Sequence, residues 1–268
     1  MKWAAATLAA LALTACKQDP ETAPPPAKKV AAMVAAAVPA CSTDQFEGVE
    51  LTVCIADPAH HTIGMVLGPG PDAPPYRHLA ILAASRPASA PPVAFAMNGG
   101  MYDEEGQPIG YYVEQGKRLK TLNRNDGPGN FHMLPNGVFF GDGNKWFVTT
   151  ADDFADAVKN RPRFATQSGP MLVINGHLHP EIAADGVSTN LRNGVGIGTD
   201  GRAYFVISEG PLSFGKFARY FRDELKTPNA LYLDGKVSSL WDPAHGRLDN
   251  AAPLGPLIVV EQSGKGKS

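Results

Sequence analysis

Polar side chains follow four apolar segments of this sequence, at the points where each segment reads like the end of a strand. The segments are "FAMNGG", "ATQSG", "NLRNGVGIG" and "LYLDGKVSSL". A buried strand fixes the position of its end, and small residues let a ligand approach the backbone. The segments therefore predict a polar site built from Asn98, Ser168, Arg192, Asn193, Asp234, Ser238 and Ser239, together with the glycines Gly99 and Gly169.

The residue types at these strand ends favour a phosphorylated or sugar-like ligand. An arginine such as Arg192 binds phosphate or carboxylate through two parallel hydrogen bonds, and amides and hydroxyls suit sugar oxygens. Each residue also has a purely structural interpretation. Asn98-Gly99 is a good turn, and Arg192 can pair with Asp185. The recurrence across four segments favours a site with Asp234 as its central carboxylate.

Other chemistries find less support. The sequence contains no G-x-S-x-G, H-E-x-x-H, P-loop or EF-hand pattern. His177 and His179 are expected to be exposed loop residues rather than metal ligands, and the sequence predicts no metal cluster. A serine esterase that uses Ser168 would need a histidine within hydrogen-bond reach, for which His132 is the candidate. If Asp234 is not the catalytic carboxyl, the alternative acidic residues, which we call the reserve acids, are Asp103, Glu104 and Glu209.

The elements that must position these residues are mainly hairpins. Polar pairs that contain glycine predict turns at 115–116, 142–143, 175–176 and 200–201. The segments "VELTVCIAD" and "HTIGMVL" predict an opening hairpin. Helices are predicted before Pro87, over 151–159 with Thr150 as N-cap, and over about 212–225 with Ser213 as N-cap. This pattern favours an α+β fold with a mixed, mainly antiparallel curved sheet, flanking helices and a single domain.

Length and charge agree with one domain. The chain has 268 residues, of which 44% are hydrophobic and 19% are charged, and its formal net charge is −2. A net negative chain without a basic field does not favour nucleic acid as a partner. We expect the domain to occupy residues 41–262 and a disordered tail to occupy residues 263–268.

The N-terminal region reads as an export signal. Lys2 precedes a short apolar stretch, and "LTAC" resembles the bacterial lipobox, which implies cleavage before Cys16 and lipidation of its thiol. Residues 1–15 are thus expected to be a lipoprotein signal peptide, and 16–40 an Ala/Pro-rich tether. The expected location is the bacterial cell envelope, at the periplasmic face or the outer membrane. In that oxidising compartment Cys41 and Cys54 are expected to form a disulfide, although two free thiols are the alternative.

Five segments occur in an order that resembles a known family. They are "NGGMY", "PIGYYVEQG", "QSGPMLV", "RNGVGIGTDG" and "ALYLDG" with the following "SSL", and "GNFHMLPNGVFF" lies between the second and third. Together they resemble the compact bacterial branch of the phosphodiester glycosidases. The resemblance covers about 90–262 and implies hydrolysis of the bond between a sugar C1 and a phosphodiester. Lys236 stands where the wider family usually has glycine.

The chemistry of a sugar phosphodiester, whose phosphate leaves as a stable anion, suggests roles for the candidate residues as a hypothesis. Asp234 would activate water or stabilise positive charge at C1, and Arg192, with Lys236 assisting, would stabilise the phosphate. Asn98, Ser238 and Ser239 would hold ring hydroxyls or phosphate oxygens. No cofactor is required by the sequence, although a divalent cation could bridge Asp234 and phosphate. The alternative is a non-catalytic envelope lipoprotein that binds phosphorylated glycans.

Overall fold

A computed structural model of the chain describes residues 39–70, 73–143 and 145–263. The predicted signal peptide, the lipidation site at Cys16 and nearly all of the tether lie outside the described residues, as does most of the predicted tail. In the described part of the chain, no helix is long and apolar enough to span a membrane.

The described chain is built mainly from short strands, as the many turn signals predict. The strands are β1 Cys41–Phe46, β2 Val49–Ala56, β3 His61–Val66, β4 Val93–Asn98, β5 Tyr112–Glu114, β6 Lys117–Lys120, β7 Gly137–Asp142, β8 Lys145–Thr150, β9 Phe164–Ser168, β10 Met171–Ile174, β11 His177–Leu178, β12 Thr189–Asn190, β13 Asn193–Ile197, β14 Ala203–Ser208, β15 Leu212–Ser213, β16 Asn229–Asp234, β17 Leu240–Asp242, β18 Arg247–Leu248 and β19 Leu257–Gln262.

These strands form three large sheets rather than one. Sheet 1 has seven strands in the order β1-β2-β14-β13-β16-β10-β11, and a short ribbon pairs β12 with β15. Sheet 2 has the order β18-β17-β4-β19-β3, and sheet 3 has the order β6-β5-β9-β7-β8. The predicted α+β class with mainly antiparallel strands is confirmed. We expected some parallel pairing, but every ladder between the described strands is antiparallel.

One hydrophobic core joins the three sheets. The ring of Phe205 in sheet 1 lies 5.2 Å from Phe95 in sheet 2 and 5.6 Å from Phe139 in sheet 3, between ring centroids. All three side chains are fully buried. Such aromatic contacts across sheet boundaries remove large apolar areas from water, and this explains why the sheets form a single domain.

The four predicted hairpin turns are confirmed. Each connects two consecutive antiparallel strands: β5 with β6, β7 with β8, β10 with β11, and β13 with β14. At Asn175-Gly176 both residues have positive φ, 49° and 81°. That backbone twist matches the twist of the flanking strands, and glycine adopts it without steric cost.

The predicted opening hairpin is wrong. β2 pairs with β1 and β14 in sheet 1, whereas β3 pairs with β19 in sheet 2. Apolar alternation identifies a strand but does not choose its partner, which is the physical reason for the error. The actual first hairpin is β1–β2. Its Cys41 and Cys54 are directly opposite each other and form a disulfide.

Three short α-helices flank the sheets, and two begin at the predicted caps. They are α1 Leu79–Ser85, α2 Ala151–Ala157 and α3 Phe214–Arg219, which continues as a π-helical turn over Tyr220–Glu224. The Thr150 hydroxyl accepts from the Asp153 amide at 3.1 Å, and the Ser213 hydroxyl accepts from the Lys216 amide at 3.2 Å. These bonds satisfy amide groups that would otherwise lack partners.

Helix α3 packs directly onto the glycines of "GVGIG". A Cβ on Gly194 would lie 3.1 Å from the Phe217 ring, and one on Gly196 would lie 2.8 Å from the Phe221 ring. The glycines therefore let the helix approach the outer face of sheet 1. Their role is close packing beneath β13, which begins at Asn193, directly after Arg192.

Candidate active site

The end of β16 lies at the centre of sheet 1, between β13 and β10. Leu231 and Leu233 point into the core that joins the three sheets, while Tyr232 packs into the cluster on the other face. Because side chains alternate along a strand, Asp234 follows Tyr232 on that second face. Asp234 lies opposite Asn193 of β13. The strand thus presents a tyrosine and a carboxyl to the same space.

That space is a cavity of about 480 Å³, which we call the Asp234 cavity. Its volume falls within the usual range for small-molecule sites. Tyr232, Asp234 and Lys236 form its floor and rim, and the segment 128–132 forms one wall. Tyr102 also lines the cavity. A carboxyl, an ammonium group and aromatic rings therefore converge on one polar cavity.

Burial raises the pKa of the Asp234 carboxyl. The low-dielectric surroundings raise its pKa to about 6, against the opposing effect of the Gly235 and Lys236 backbone amides. The Gly235 amide donates to Asp234 Oδ1 at 2.5 Å. A carboxyl with this pKa is present in both protonation states near neutral pH, as a residue that exchanges a proton during a reaction requires.

Arg192 is buried beneath the cavity and does not line it. Its Nε donates to the Leu212 carbonyl at 2.8 Å, and its Nη2 donates to the Ser188 carbonyl at 3.1 Å. The guanidinium stacks on Phe214, with Cζ 3.6 Å from the ring centroid. Burial lowers the pKa of Arg192, and the nearby Tyr232 hydroxyl opposes that effect.

This arrangement bears on two expectations for Arg192. Nε and Nη2 donate to backbone carbonyls, so the predicted contact with phosphate stays a prediction that only Nη1 is free to make. The alternative pairing with Asp185 is wrong, because Asp185 lies 3.8 Å from Arg219 instead. Within the described residues no carboxylate pairs with Arg192, and its buried Nη1 has no hydrogen-bond partner. The result is an unpaired positive charge under the Tyr232 ring.

A network of buried amides supports the Asp234 loop from below. Asn98 Oδ1 accepts from the Ser239 amide at 2.9 Å and from Asn193 Nδ2 at 3.2 Å. The Ser238 hydroxyl contacts Asn193 Oδ1 at 3.4 Å and the Asp234 carbonyl at 3.5 Å. This network connects β4 of sheet 2 with β13 of sheet 1. The structure brings these predicted residues together, but as a support for the cavity floor.

Ser168 and the two glycines also lie outside the cavity. The Ser168 hydroxyl donates to the Leu233 carbonyl at 2.8 Å, which holds β9 against the end of β16. A Cβ on Gly169 would lie 2.7 Å from the Phe131 carbonyl, so this glycine lets the wall segment approach. The Gly99 amide donates to the Pro256 carbonyl at 2.7 Å. Of the ten predicted site residues, only Asp234 and Lys236 line the cavity.

The geometry does not support a serine esterase. The hydroxyl of Ser168 is engaged with a backbone carbonyl, and His132 Nδ1 lies 2.6 Å from the Asn125 carbonyl. No histidine forms a hydrogen bond to Ser168 among residues 39–70, 73–143 and 145–263. Ser168 therefore lacks the histidine base that such an enzyme needs.

The reserve acids have structural partners elsewhere. Asp103 Oδ1 accepts from the Gln107 amide at 2.8 Å, and Glu209 accepts from the Thr52 hydroxyl at 2.6 Å. Glu104 is exposed. None of the three lines the Asp234 cavity, so Asp234 is the only carboxyl among the described residues that line it.

The histidine prediction is half correct. His177 is exposed, but His179 is buried, and its Nδ1 accepts from the Glu181 amide at 3.2 Å. No group of three or more histidine, cysteine or acidic side chains with metal-binding geometry occurs in the portion of the chain that the structure describes.

Two tyrosines of the cavity were missed at the sequence level. Burial, with a contribution from the Asp234 charge, raises the pKa of Tyr102 to about 12. Burial also raises the pKa of Tyr232 above its usual range. Both are therefore neutral hydroxyls at physiological pH. Strand alternation could have indicated Tyr232, which stands two residues before Asp234.

The wall segment 128–132 was noticed in the sequence but received no role. Gln167, beside Ser168 in β9, fixes it: Gln167 Nε2 donates to the Asn123 carbonyl at 2.5 Å and to Asn136 Oδ1 at 3.1 Å. Asn136 in turn donates to the Phe131 carbonyl at 3.1 Å. Three buried or half-buried amides therefore position one wall of the cavity.

Comparisons with known proteins agree with the fold and the motifs. Residues 92–260 match the family model for phosphodiester glycosidases. The chain is also 39% identical over 172 residues to the uncharacterised protein YigE of Escherichia coli (strain K12). That alignment covers 64% of this chain and 67% of the relative.

Solved structures show the same fold at low sequence identity. The zebrafish N-acetylglucosamine-1-phosphodiester alpha-N-acetylglucosaminidase catalytic domain, auto-inhibited by its pro-peptide, aligns with a TM-score of 0.59 and 18% identity. The alignment covers 83% of this chain and 82% of that one. A hypothetical protein from Synechocystis aligns with a TM-score of 0.52 and 14% identity, over 83% of this chain and 61% of the other.

Proposed function

We propose, since the chain belongs to the phosphodiester glycosidase family, that it hydrolyses the bond between a sugar C1 and the phosphate of a glycosyl-1-phosphodiester. The observation that carries this proposal is the Asp234 carboxyl, whose pKa burial raises to about 6 in a cavity that Lys236 also lines. A proton-exchanging carboxyl beside a cation suits a sugar joined to an anionic leaving group.

A single carboxyl is sufficient for this substrate class. Glycosidases usually need a second carboxyl as an acid, because an alkoxide is a poor leaving group. Cleavage of a glycosyl-1-phosphodiester releases a phosphate monoester, whose second pKa is about 6. That group leaves without protonation when a positive charge stabilises it. This difference accounts for a cavity with one carboxyl, Asp234, and one ammonium group, Lys236.

The steps follow from these positions. Ionised Asp234 accepts a proton from water, and the water oxygen forms a bond to C1. The C1–O bond breaks, its electron pair remains on the phosphate oxygen, and Lys236 at the rim stabilises the resulting dianion. Tyr232 offers a neutral hydroxyl and a ring surface to the sugar. Tyr102 offers its ring, because its hydroxyl donates to the Pro253 carbonyl at 2.9 Å. Direct attack by water implies inversion at C1.

Arg192 acts at longer range in this scheme. Its buried, unpaired charge beneath Tyr232 makes the floor of the cavity more positive, and a low-dielectric interior screens such a charge less than water does. Asn98, Asn193, Ser238 and Ser239 keep the Asp234 loop in position and do not touch the substrate. We propose these supporting roles in place of the direct contacts that the sequence suggested.

The proposed location is the bacterial envelope. The lipobox-like "LTAC" at Cys16 supports an anchor, and the Cys41–Cys54 disulfide fits an oxidising compartment. The proposed substrate is accordingly a phosphorylated glycan of the envelope. The second candidate function, a non-catalytic glycan-binding lipoprotein, would use the same cavity but would not need a carboxyl with a raised pKa.

A substrate screen tests the proposal. Purified protein is incubated with α- and β-linked glycosyl-1-phosphodiesters, including an N-acetylglucosamine-1-phosphodiester, with and without EDTA. Release of the phosphomonoester and of free sugar is followed by NMR, which also reports the anomer formed first. We expect turnover by the wild type and at least about a hundredfold loss in Asp234→Asn. Binding of a substrate without any turnover would favour the non-catalytic lipoprotein.

A further inference from the structure

A second cavity lies next to the Asp234 cavity. It encloses about 860 Å³, and we call it the Glu114 cavity. Glu114, Lys117 and Lys120 line it from the β5–β6 hairpin, and Tyr76 and Gln107 contribute from other segments. Its volume also falls within the range of small-molecule sites. None of these residues takes part in the scheme proposed above.

One thin hairpin separates the two cavities. Tyr102 and Pro108 form an isolated antiparallel bridge, and the Asp103 amide donates to the Gln107 carbonyl at 2.9 Å. Tyr102 and Ile109 line the Asp234 cavity, whereas Asp103, Gln107 and Pro108 line the Glu114 cavity. Opposite residues of an antiparallel pair lie only about 5 Å apart. Residues that line the two cavities are therefore neighbours within this one hairpin.

Strand register directs two lysines toward the Glu114 cavity. Lys117 is opposite Glu114, and Lys120 is opposite Tyr112. The register shifts between Tyr112 and Val113, which lets these two lysines, three residues apart, share the face of Glu114. Arg118 is opposite Val113 on the other face, where Val113 packs in a separate cluster. A single exposed strand thus carries two cations toward the cavity and one away from it.

The charges in this cavity favour an anionic ligand. Lys117 and Lys120 are exposed, and neither forms an ion pair with any residue that the structure describes. The Glu114 carboxylate already has hydrogen-bond partners within the protein. Its Oε2 accepts from the Leu67 amide at 3.0 Å and from the Tyr112 hydroxyl at 3.1 Å. Burial raises the pKa of Glu114, against the opposing effect of the Leu67 amide and the Tyr112 hydroxyl. Asp103 also lines the cavity, and its Oδ1 is engaged by the Gln107 amide at 2.8 Å, so Lys117 and Lys120 are the cations that a ligand can reach.

We propose that the Glu114 cavity is a second subsite, in which Lys117 and Lys120 bind a neighbouring phosphate of an extended substrate. This inference rests on the proposed function and names its substrate class as chains with repeated glycosyl-phosphate units. One unit occupies the Asp234 cavity, the chain crosses the Tyr102–Pro108 hairpin, and the next phosphate reaches the two lysines.

The test compares short and extended substrates. The short probe is a methyl N-acetylglucosamine-1-phosphodiester, and the extended probe is a synthetic trimer of N-acetylglucosamine 1-phosphate units. Variants are the double substitution Lys117→Gln with Lys120→Gln and the matched control Arg118→Gln, which removes a charge from the opposite face. We expect the double variant to raise KM for the trimer about tenfold, at unchanged kcat, because two exposed ion pairs are lost. KM for the short probe should change less than twofold.

The outcomes separate the two proposals. Equal effects of the double variant on both probes, or equal effects of Arg118→Gln and the double variant on the trimer, would overturn the subsite. Hydrolysis of the short probe with a trimer KM that the lysines do not affect would leave the proposed function intact and remove the subsite. If the wild type hydrolyses neither probe, calorimetric binding of the trimer still tests the subsite, with weaker binding expected only for the double variant.

Discussion

Replacing Asp234 with asparagine should stabilise the fold at neutral pH and at the same time remove activity. The carboxyl is partly buried, and burial raises its pKa from the usual 3.8 to about 6. Removal from water destabilises the ionised carboxylate, and this is why the folded protein keeps the Asp234 proton to higher pH. Asparagine has nearly the same shape and no charge, so it removes the penalty without opening a cavity.

The size of the effect follows from proton linkage. Below pH 3.8 the carboxyl is protonated in both the folded and the unfolded state and contributes no penalty. As pH rises toward 6, the unfolded chain loses the proton first, so the folded state becomes less stable. Above pH 6 the ionised carboxyl costs the folded state roughly 3 kcal/mol. Asp234→Asn should therefore raise the free energy of unfolding by about 1–3 kcal/mol at pH 7.5 and change it little at pH 4.

The assay is denaturant unfolding at both pH values. Trp146 and Trp241 are buried, so tryptophan fluorescence reports the loss of the core. For a domain of this size the gain at pH 7.5 corresponds to a melting temperature about 3–10 °C higher. Asp156→Asn, which removes an exposed carboxylate, is the matched control and should change stability by less than about 0.5 kcal/mol.

Two results would refute the reasoning. If Asp234→Asn is no more stable than wild type at pH 7.5, or gains equally at pH 4 and pH 7.5, the carboxyl is not desolvated as described. If the variant retains more than about one tenth of the wild-type kcat, Asp234 does not accept the proton in the reaction. Stability and activity thus test the same side chain independently.

Four further predictions follow from the site. The wild-type kcat/KM should rise about tenfold per pH unit below pH 6 and level off above it, because the base must be ionised; a flat profile from pH 4.5 to 7 would exclude Asp234 as that base. Lys236→Ala should raise KM about five- to tenfold relative to the exposed control Lys159→Ala, and equal KM values in the two variants would remove Lys236 from phosphate binding. Tyr232→Phe should lower kcat about tenfold and destabilise the fold by about 1 kcal/mol in urea, because the buried Arg192 loses a polar neighbour; a rate equal to wild type would deny the hydroxyl any role. Replacing Cys41 and Cys54 with serine should lower the free energy of unfolding by about 2–3 kcal/mol, as the disulfide closes a short loop, and reducing agent should weaken the wild type equally; no change in either experiment would contradict the argument.

Local sequence signals predicted the elements well, because each depends on neighbouring residues only. Turn pairs such as Asn175-Gly176 specify backbone angles that few residues adopt, and capping hydroxyls such as Thr150 satisfy amides within three residues. Strand partners were less predictable. The segments β2 and β3 are consecutive and alternate in the same way, yet they join different sheets. Pairing depends on contacts with β14 and β19, which are far away in the chain.

The candidate site was also predicted only in part from the sequence. Asp234 was identified because a carboxyl at the end of an apolar strand is unusual locally. The distinction between residues that line the cavity and residues that support it was not visible, because burial is set by the packing of all three sheets. Asn98 and Ser239 carry polar side chains that suit a ligand, yet they bind each other beneath the floor. Arg192 has the right chemistry for phosphate, but two of its three guanidinium nitrogens donate to backbone carbonyls beneath the cavity.

The sequence by itself determined the fold class, the hairpin turns, the helix caps and the family, since all of these are encoded by residue types at short spacing. Only the tertiary structure decided which side chains meet. Sheets 1, 2 and 3 share one core, and this packing buries Arg192, raises the pKa of Asp234 to about 6 and brings Tyr102 into the same cavity as Asp234. The physical reason is that burial and electrostatic environment depend on distances between residues that are remote in the chain.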